Sequence, residues 1–396
     1  MKLKKFFAGV LAAAMMLTVG ATAAFAETGA DEAATTANAP LSGSTGLSAN
    51  DNIPVYKTYE VKKGVSPEET FYFQIDYVKA IKQDSKGYAP YTAAHENVAT
   101  KDVKFDSMTG TKTDSKAFNV TPTELNLSTP TGTGKYLYKI TEKSGTNAAV
   151  TYQQSEVYMV VTVAHDVETD NKTIKENAWK YYVTMYKTQS GAENATQTDK
   201  VNNTDAFKNT YGDNNISELT LKKVVKGSFG DLGEDFTFEV KFTKATGKTY
   251  SNILVDSKSA DNVSIVKKGM TEPQVKELVY DETYVVTLKH NQWIKFNNVV
   301  SGVDYTIEET IPENKKDSWQ YTTSLQSDSN ATLTTGTMTA NGTTKATAST
   351  DTFINDHQGT PDMGVVLDNA PYIAMLAIVA IGGVALMLNK RRRDEE

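Results

Sequence analysis

The sequence contains no cysteine. Secreted chains often rely on disulfides, so any covalent staple here has to come from other side chains. Histidine is scarce too. His95, His165, His290 and His357 are scattered without metal-ligand spacing, and no metal or cofactor is expected. A phosphate-binding loop and a supported Ser/His/Asp order are both missing, which argues against an enzyme with turnover. Asp213-Asn214-Asn215 lacks an EF-hand pattern and reads as a turn. Positive charge is not in excess. The formal charge is −7, and loss of Lys2, Lys4 and Lys5 with an N-terminal leader would make it more negative. That disfavours nucleic acid or an anionic membrane surface as a partner. Proline is limited to 10 residues, and no long amphipathic helix is legible between residues 53 and 358.

What fills the chain instead is alternation. Phe71, Phe73, Ile75 and Tyr77 are apolar at period two, as are Phe236, Phe238, Val240 and Phe242. Tyr158, Val160 and Thr162 alternate with Met159, Val161 and Val163. This is strand periodicity, and short strands separated by Gly, Asn, Asp and Ser turns predict β-sandwiches. The fold class expected is all-β, with two tandem Ig-like β-sandwich domains. Their boundaries are read as 53–212 and 213–358, since the length suits two cores better than one.

The ends have their own composition. Lys2, Lys4 and Lys5 precede an apolar run, and Ala24-Phe25-Ala26 makes a small-residue cleavage site, so residues 1–26 read as a signal peptide. Residues 27–52 are rich in Ala, Thr, Gly, Ser and Asn and read as a disordered leader. Residues 370–388 form an uncharged apolar stretch long enough to span a bilayer, followed by Lys390, Arg391, Arg392 and Arg393. A basic cluster just past such a stretch stays cytoplasmic, which leaves the bulk of the chain outside. Immediately before the stretch stand Thr360, Pro361, Asp362, Met363 and Gly364. The order of short motif, apolar span and basic tail over residues 359–396 resembles the cell-wall sorting signal read by sortases. Pro361 and Gly364 match the usual Leu-Pro-x-Thr-Gly, whereas Thr360 and Met363 depart from it. The resemblance implies cleavage between Met363 and Gly364.

Four landmarks recur in the same order in both halves. Val55-Tyr56-Lys57-Thr58-Tyr59 is answered by Leu221-Lys222-Lys223-Val224-Val225, and the strand at Phe71 by the strand at Phe236. Tyr138-Lys139-Ile140-Thr141-Glu142 is answered by Tyr305-Thr306-Ile307-Glu308-Glu309, and Phe207-Lys208-Asn209 by Phe353-Ile354-Asn355. A repeat of this kind supports the division into two units.

At these landmarks the chain resembles the isopeptide domains of Gram-positive major pilins, the streptococcal backbone type, from about residue 53 to 364. The marks are a lysine in the first strand, Y-x-I-x-E in a later one and F-x-N in the last. The resemblance implies that Lys57 bonds Asn209 with Glu142 assisting, and that Lys223 bonds Asn355 with Glu309 assisting. Burial would lower the lysine pKa and raise that of the glutamate. A protonated carboxyl could then donate to the asparagine carbonyl and polarise it for attack, with loss of ammonia. Such a reaction happens once per domain, autocatalytically. The opening strand of the second domain alternates cleanly around Lys223, while Pro54 and Tyr59-Glu60-Val61 make the first less regular.

The same resemblance implies a surface pilus shaft subunit, secreted and linked to the cell wall. Its partners would be a sortase, other pilin subunits in a covalent homopolymer, and peptidoglycan. It also implies an acceptor lysine near the end of the first domain. Lys200 is the candidate, with Lys187 and Lys208 as rivals. The alternative reading is a monomeric wall-anchored adhesin that binds a host protein or glycan.

Overall fold

The computed structural model describes residues 46–359 apart from 84–87, 154–155, 169–172, 202–205, 273 and 329–330, together with residues 375–376, 378–379 and 387. The signal segment 1–26, most of the leader, Thr360 to Gly364 and the basic cluster lie outside the described residues, as does nearly all of 370–388. Among the described residues no helix is long and apolar enough to cross a membrane.

Nearly all of the regular secondary structure in the described chain is strand. Nine strands come first: β1 (Ile53–Val61), β2 (Glu69–Gln83), β3 (His95–Phe105), β4 (Lys112–Val120), β5 (Gly134–Glu142), β6 (Val150–Tyr152), β7 (Glu156–Val167), β8 (Ile174–Tyr186) and β9 (Phe207–Tyr211). A six-residue helix, α1 (Gln189–Asn194), lies between β8 and β9. There follow β10 (Ile216–Lys226), β11 (Phe236–Thr243), β12 (Ile253–Lys258), β13 (Ser264–Lys267), β14 (Glu277–Leu278) and β15 (Thr283–Leu288). The last six are β16 (Trp293–Val300), β17 (Asp304–Thr310), β18 (Thr322–Ser327), β19 (Thr334–Thr335), β20 (Thr339–Thr343) and β21 (Ser349–Asp356).

Strands β1 to β9 form two sheets, ordered β4-β1-β9-β6 and β3-β2-β5-β7-β8. Strands β10 to β21 form two more, ordered β14-β12-β16-β10-β21-β18-β19 and β13-β15-β11-β17-β20. Among the described residues no sheet mixes the two sets. In each set the period-two apolar faces of the two sheets meet. Phe73 of β2 packs against Phe118 of β4 and Phe207 of β9, with ring centroids 4.6 and 5.0 Å apart. In the later pair Phe238 of β11 meets Phe353 of β21 at 5.1 Å, and Phe242 meets Phe296 of β16 at 5.5 Å.

Two features position the chemistry. In each set the first strand lies beside the last and parallel to it: β1 beside β9, and β10 beside β21. The ends of each strand set are therefore neighbours in one sheet. Strand β1 is also more regular than its sequence suggests. It runs unbroken through Tyr59, Glu60 and Val61, and Ile53, Val55, Lys57, Tyr59 and Val61 all face inward.

Elsewhere the structure adds what periodicity does not reveal. In β7 both faces are buried around Tyr158 to Val161. Tyr158 and Val160 belong to a small apolar cluster with Leu137, Tyr186 and Ala192 of α1, so the helix covers the outer face that alternation leaves to solvent. The last residues of the expected leader are held as well, because Leu47 exchanges backbone hydrogen bonds with Tyr181 of β8 at 2.8 and 2.9 Å. At the joint between β9 and β10, Gly212 takes φ +75° with the Lys63 carbonyl only 2.5 Å from where a Cβ would stand. Nearby, Asn298 of β16 accepts from the Val65 N–H and the Tyr211 hydroxyl and donates to the Val65 carbonyl.

Candidate functional site

Lys57 and Lys223 are both fully buried. An ammonium without a partner at such a place costs several kcal/mol, so each position needs a compensating group. The fold supplies it from the facing sheet. Lys57 Nζ donates to Glu142 Oε2 at 2.8 Å, and Lys223 Nζ to Glu309 Oε1 at 2.8 Å. Glu142 ends β5 opposite Phe73, and Glu309 sits on β17 opposite Phe238, so the two carboxylates occupy equivalent places. An aromatic face completes each pocket: Lys57 Nζ lies 4.5 Å from the Phe71 ring centre and Lys223 Nζ 4.1 Å from that of Phe236.

The asparagines arrive by strand register. Lys57 is level with Phe207 and Tyr59 with Asn209; Lys223 is level with Phe353 and Val225 with Asn355. Lysine and asparagine are thus two residues apart along adjacent parallel strands, and side chains two apart share a face. Asn209 and Asn355 are fully buried. Each turns its amide nitrogen to the same glutamate as the lysine. Asn209 Nδ2 donates to Glu142 Oε1, and Asn355 Nδ2 to Glu309 Oε1 at 2.5 Å. The structure therefore brings together Lys57, Glu142 and Asn209, and separately Lys223, Glu309 and Asn355.

One detail differs from expectation. In both pockets the glutamate faces the nitrogen of the asparagine amide rather than its carbonyl oxygen. That places the carboxyl beside the group that would leave, where it can carry a proton from the amine to the departing nitrogen. The electrostatics favour such a transfer. Burial pushes the Lys57 and Lys223 amines down to about 8, although the facing carboxylates pull the other way. Burial likewise raises Glu142 and Glu309 above the ordinary carboxylate range against the pull of the lysines. Both shifts move the pair towards its neutral form.

The two pockets are not identical. Asn209 Oδ1 accepts the backbone N–H of Gln153 at 2.9 Å. Asn355 Oδ1 and Glu309 Oε2 are buried with no hydrogen-bond partner among the described residues.

The candidate acceptor lysines lie away from both pockets. Lys200 is half-buried at the end of a clasp on β8, where its backbone bridges Tyr186 and the next N–H bonds Met185 at 3.0 Å. The clasp is closed by Thr188, which caps α1 through the Gly191 N–H and hydrogen-bonds Asp199. Lys187 is exposed at the other end of this clasp. Lys208 is engaged with Glu60 at 2.7 Å.

A pilin of Streptococcus pyogenes serotype M1 is 29% identical over 334 residues, which span 82% of this chain and 86% of that protein. This chain is a homologue of a streptococcal pilin. The kinship expected from the lysine, Y-x-I-x-E and F-x-N landmarks is therefore found, and it runs through both strand sets rather than one. A family described as a domain of unknown function, DUF7601, matches residues 217–357, the later set. Among solved structures, the major pilin from S. pyogenes is 21% identical, with a TM-score of 0.46 over 77% of this chain and 99% of that one. The T3.2 major pilin from serotype GAS13637 is 16% identical, with a TM-score of 0.44 over 77% and 98%.

Proposed function

We propose that this chain is a shaft subunit of a surface pilus, and that each of its two strand sets is a sandwich domain closed by an internal Lys–Asn isopeptide bond. The observation that carries the reading is the doubled pocket, in which a fully buried lysine shares one glutamate with a fully buried asparagine. Pilin homology over most of the chain supports the structural role.

In the proposed reaction Glu142 takes a proton from the Lys57 amine, which attacks Asn209 Cγ. The Nζ–Cγ bond forms and the Cγ–Nδ2 bond breaks. Glu142 passes its proton to the leaving nitrogen and accepts the second amine proton, so that one ammonia departs. Glu309 does the same between Lys223 and Asn355. Folding holds the reactants together, and this proximity takes the place of an enzyme's binding step. First and last strands then become one covalent path, so that tension along a fibre bypasses the hydrogen bonds of the sandwich. A sortase would join Met363 of one subunit to a lysine of the next and finally to peptidoglycan.

Intact-mass spectrometry tests this directly. The folded protein is expected to weigh two ammonia molecules less than its sequence, with cross-linked peptides that contain Lys57–Asn209 and Lys223–Asn355. The full sequence mass would exclude both bonds.

The pH dependence of bond formation follows from the shifted groups. Below the raised glutamate pKa both partners are protonated and the amine is blocked. Above about 8 the pair has lost its last proton, and the glutamate has nothing to give the leaving nitrogen. The rate of ammonia loss should therefore rise through the acid limb, pass a maximum and fall above about pH 8. A rate that keeps climbing well past that point would remove the glutamate's role as acid.

A further inference from the structure

The two asparagine carbonyls differ in a way that the shared glutamates do not explain. Attack by an amine drives negative charge onto Oδ1, and a donor already aimed at that atom lowers the barrier. Asn209 Oδ1 has such a donor in the Gln153 N–H, at 2.9 Å. Its origin lies in the sheet. Strand β6 pairs antiparallel with β9 and ends at Tyr152, which is level with Asn209. The ladder stops there, and the next N–H turns to the side chain of Asn209 instead of to a strand partner. In the later set β18 takes the place of β6, with Thr323 level with Asn355. That ladder does not stop; it runs on through Ser324 to Ser327, and Asn355 Oδ1 is left without a donor among the described residues.

We propose that the backbone N–H of Gln153 is a catalytic group of the first pocket, an oxyanion donor that holds the developing charge on Asn209 Oδ1 while Lys57 attacks. The second pocket works without one. This inference rests on the isopeptide reading above. It adds a contributor to the chemistry that is not a side chain. Both oxygens of Glu142 are occupied, one by Lys57 and one by the leaving nitrogen, so the carbonyl needs its partner from elsewhere. The overall balance is unchanged: the charge that gathers on Oδ1 returns to the carbonyl as the Cγ–Nδ2 bond breaks and ammonia leaves.

The test removes the N–H and keeps the side chain. The full chain is made by cell-free synthesis with an α-hydroxy acid at position 153, which replaces that amide by an ester, and is compared with the same side chain carried on an amide. Samples are quenched at intervals and mapped for each bond by peptide mass. The temperature is lowered until bond formation lags the tryptophan signal of folding. The ester is expected to slow the Lys57–Asn209 bond by about 10²-fold and to leave the Lys223–Asn355 bond at its normal rate, which makes the second pocket an internal clock. Gln153→Ala, which retains the N–H, should behave as the unmodified chain. An unchanged first-pocket rate, or equal slowing of both bonds, would overturn the inference and leave the isopeptide reading standing. Absence of both bonds from the unmodified chain would overturn that reading itself.

Discussion

Asn355→Ala is expected to lower the melting temperature of the second sandwich by on the order of 15 °C and to restore one ammonia to the measured mass. The proposed Lys223–Asn355 bond, which this variant would lack, closes a loop of about 130 residues, for which loop entropy alone gives about 5 kcal/mol. Spread over a domain of this size, that loss corresponds to a shift of the stated order. Asn355→Ala is the cleaner of two variants, because the Lys223–Glu309 pair survives it. Glu309→Ala also blocks the bond, but it strands Lys223 in the core. Removing one member of a buried pair costs about 3–5 kcal/mol, so this protein should melt lower still. The sign of its pH response follows. The folded pKa of Lys223 already lies near 8 with Glu309 present, against 10.5 for the free side chain. Without the pull of Glu309 it falls lower still, so the unfolded state binds the extra proton, and the stability of Glu309→Ala should rise with pH from below 8 up to 10.5. Scans monitored by Trp293 and Trp319, combined with intact mass, separate the variants. Equal melting of Asn355→Ala and the unmodified protein would mean that no bond exists to lose.

Lys200→Ala is expected to abolish the high-mass ladder on immunoblots of wall extracts, while the monomer stays folded and keeps both internal bonds. Of the three candidates, Lys208 is held by Glu60 at 2.7 Å on the same sheet face and is poorly placed to leave it. Lys200 is presented by a clasp anchored on β8, outside both pockets, so its loss has no route to the internal chemistry. On the proposed reading, in which one acceptor per subunit carries the polymer, the effect should be all-or-none. A persistent ladder would assign the junction to another lysine, and sequencing across Met363 would show which one. Junction peptides that carry only peptidoglycan on Met363 would favour a wall-anchored monomeric protein instead.

Much of this is legible in the sequence. Period-two alternation at Phe71–Tyr77 and Phe236–Phe242 marked strands that the structure shows as β2 and β11. The repeated lysine, glutamate and asparagine landmarks singled out the six side chains that now meet in two pockets. These signals survive in one dimension because strand periodicity is local and because a lysine on an apolar face is conspicuous by residue type. The resemblance added the pairing of distant landmarks, which spacing alone could not supply.

Other features had no such signal. Alternation in β7 gave no sign that α1 would cover its outer face, since burial there depends on a segment that returns from β8. The regularity of β1 came from its neighbours in the sheet, β4 along the whole strand and β9 along its second half, both distant in sequence. The orientation of each asparagine amide, with nitrogen rather than oxygen towards the glutamate, is a choice among hydrogen-bond partners inside a closed core. The donor from Gln153 is a backbone group, which every residue but proline carries, so residue identity could not reveal it. The sequence by itself therefore determined which side chains are placed in the core and that they come in two equivalent sets. Only the tertiary structure decided which atoms face one another there, because that depends on where a ladder ends and which polar group is left to be satisfied when it does.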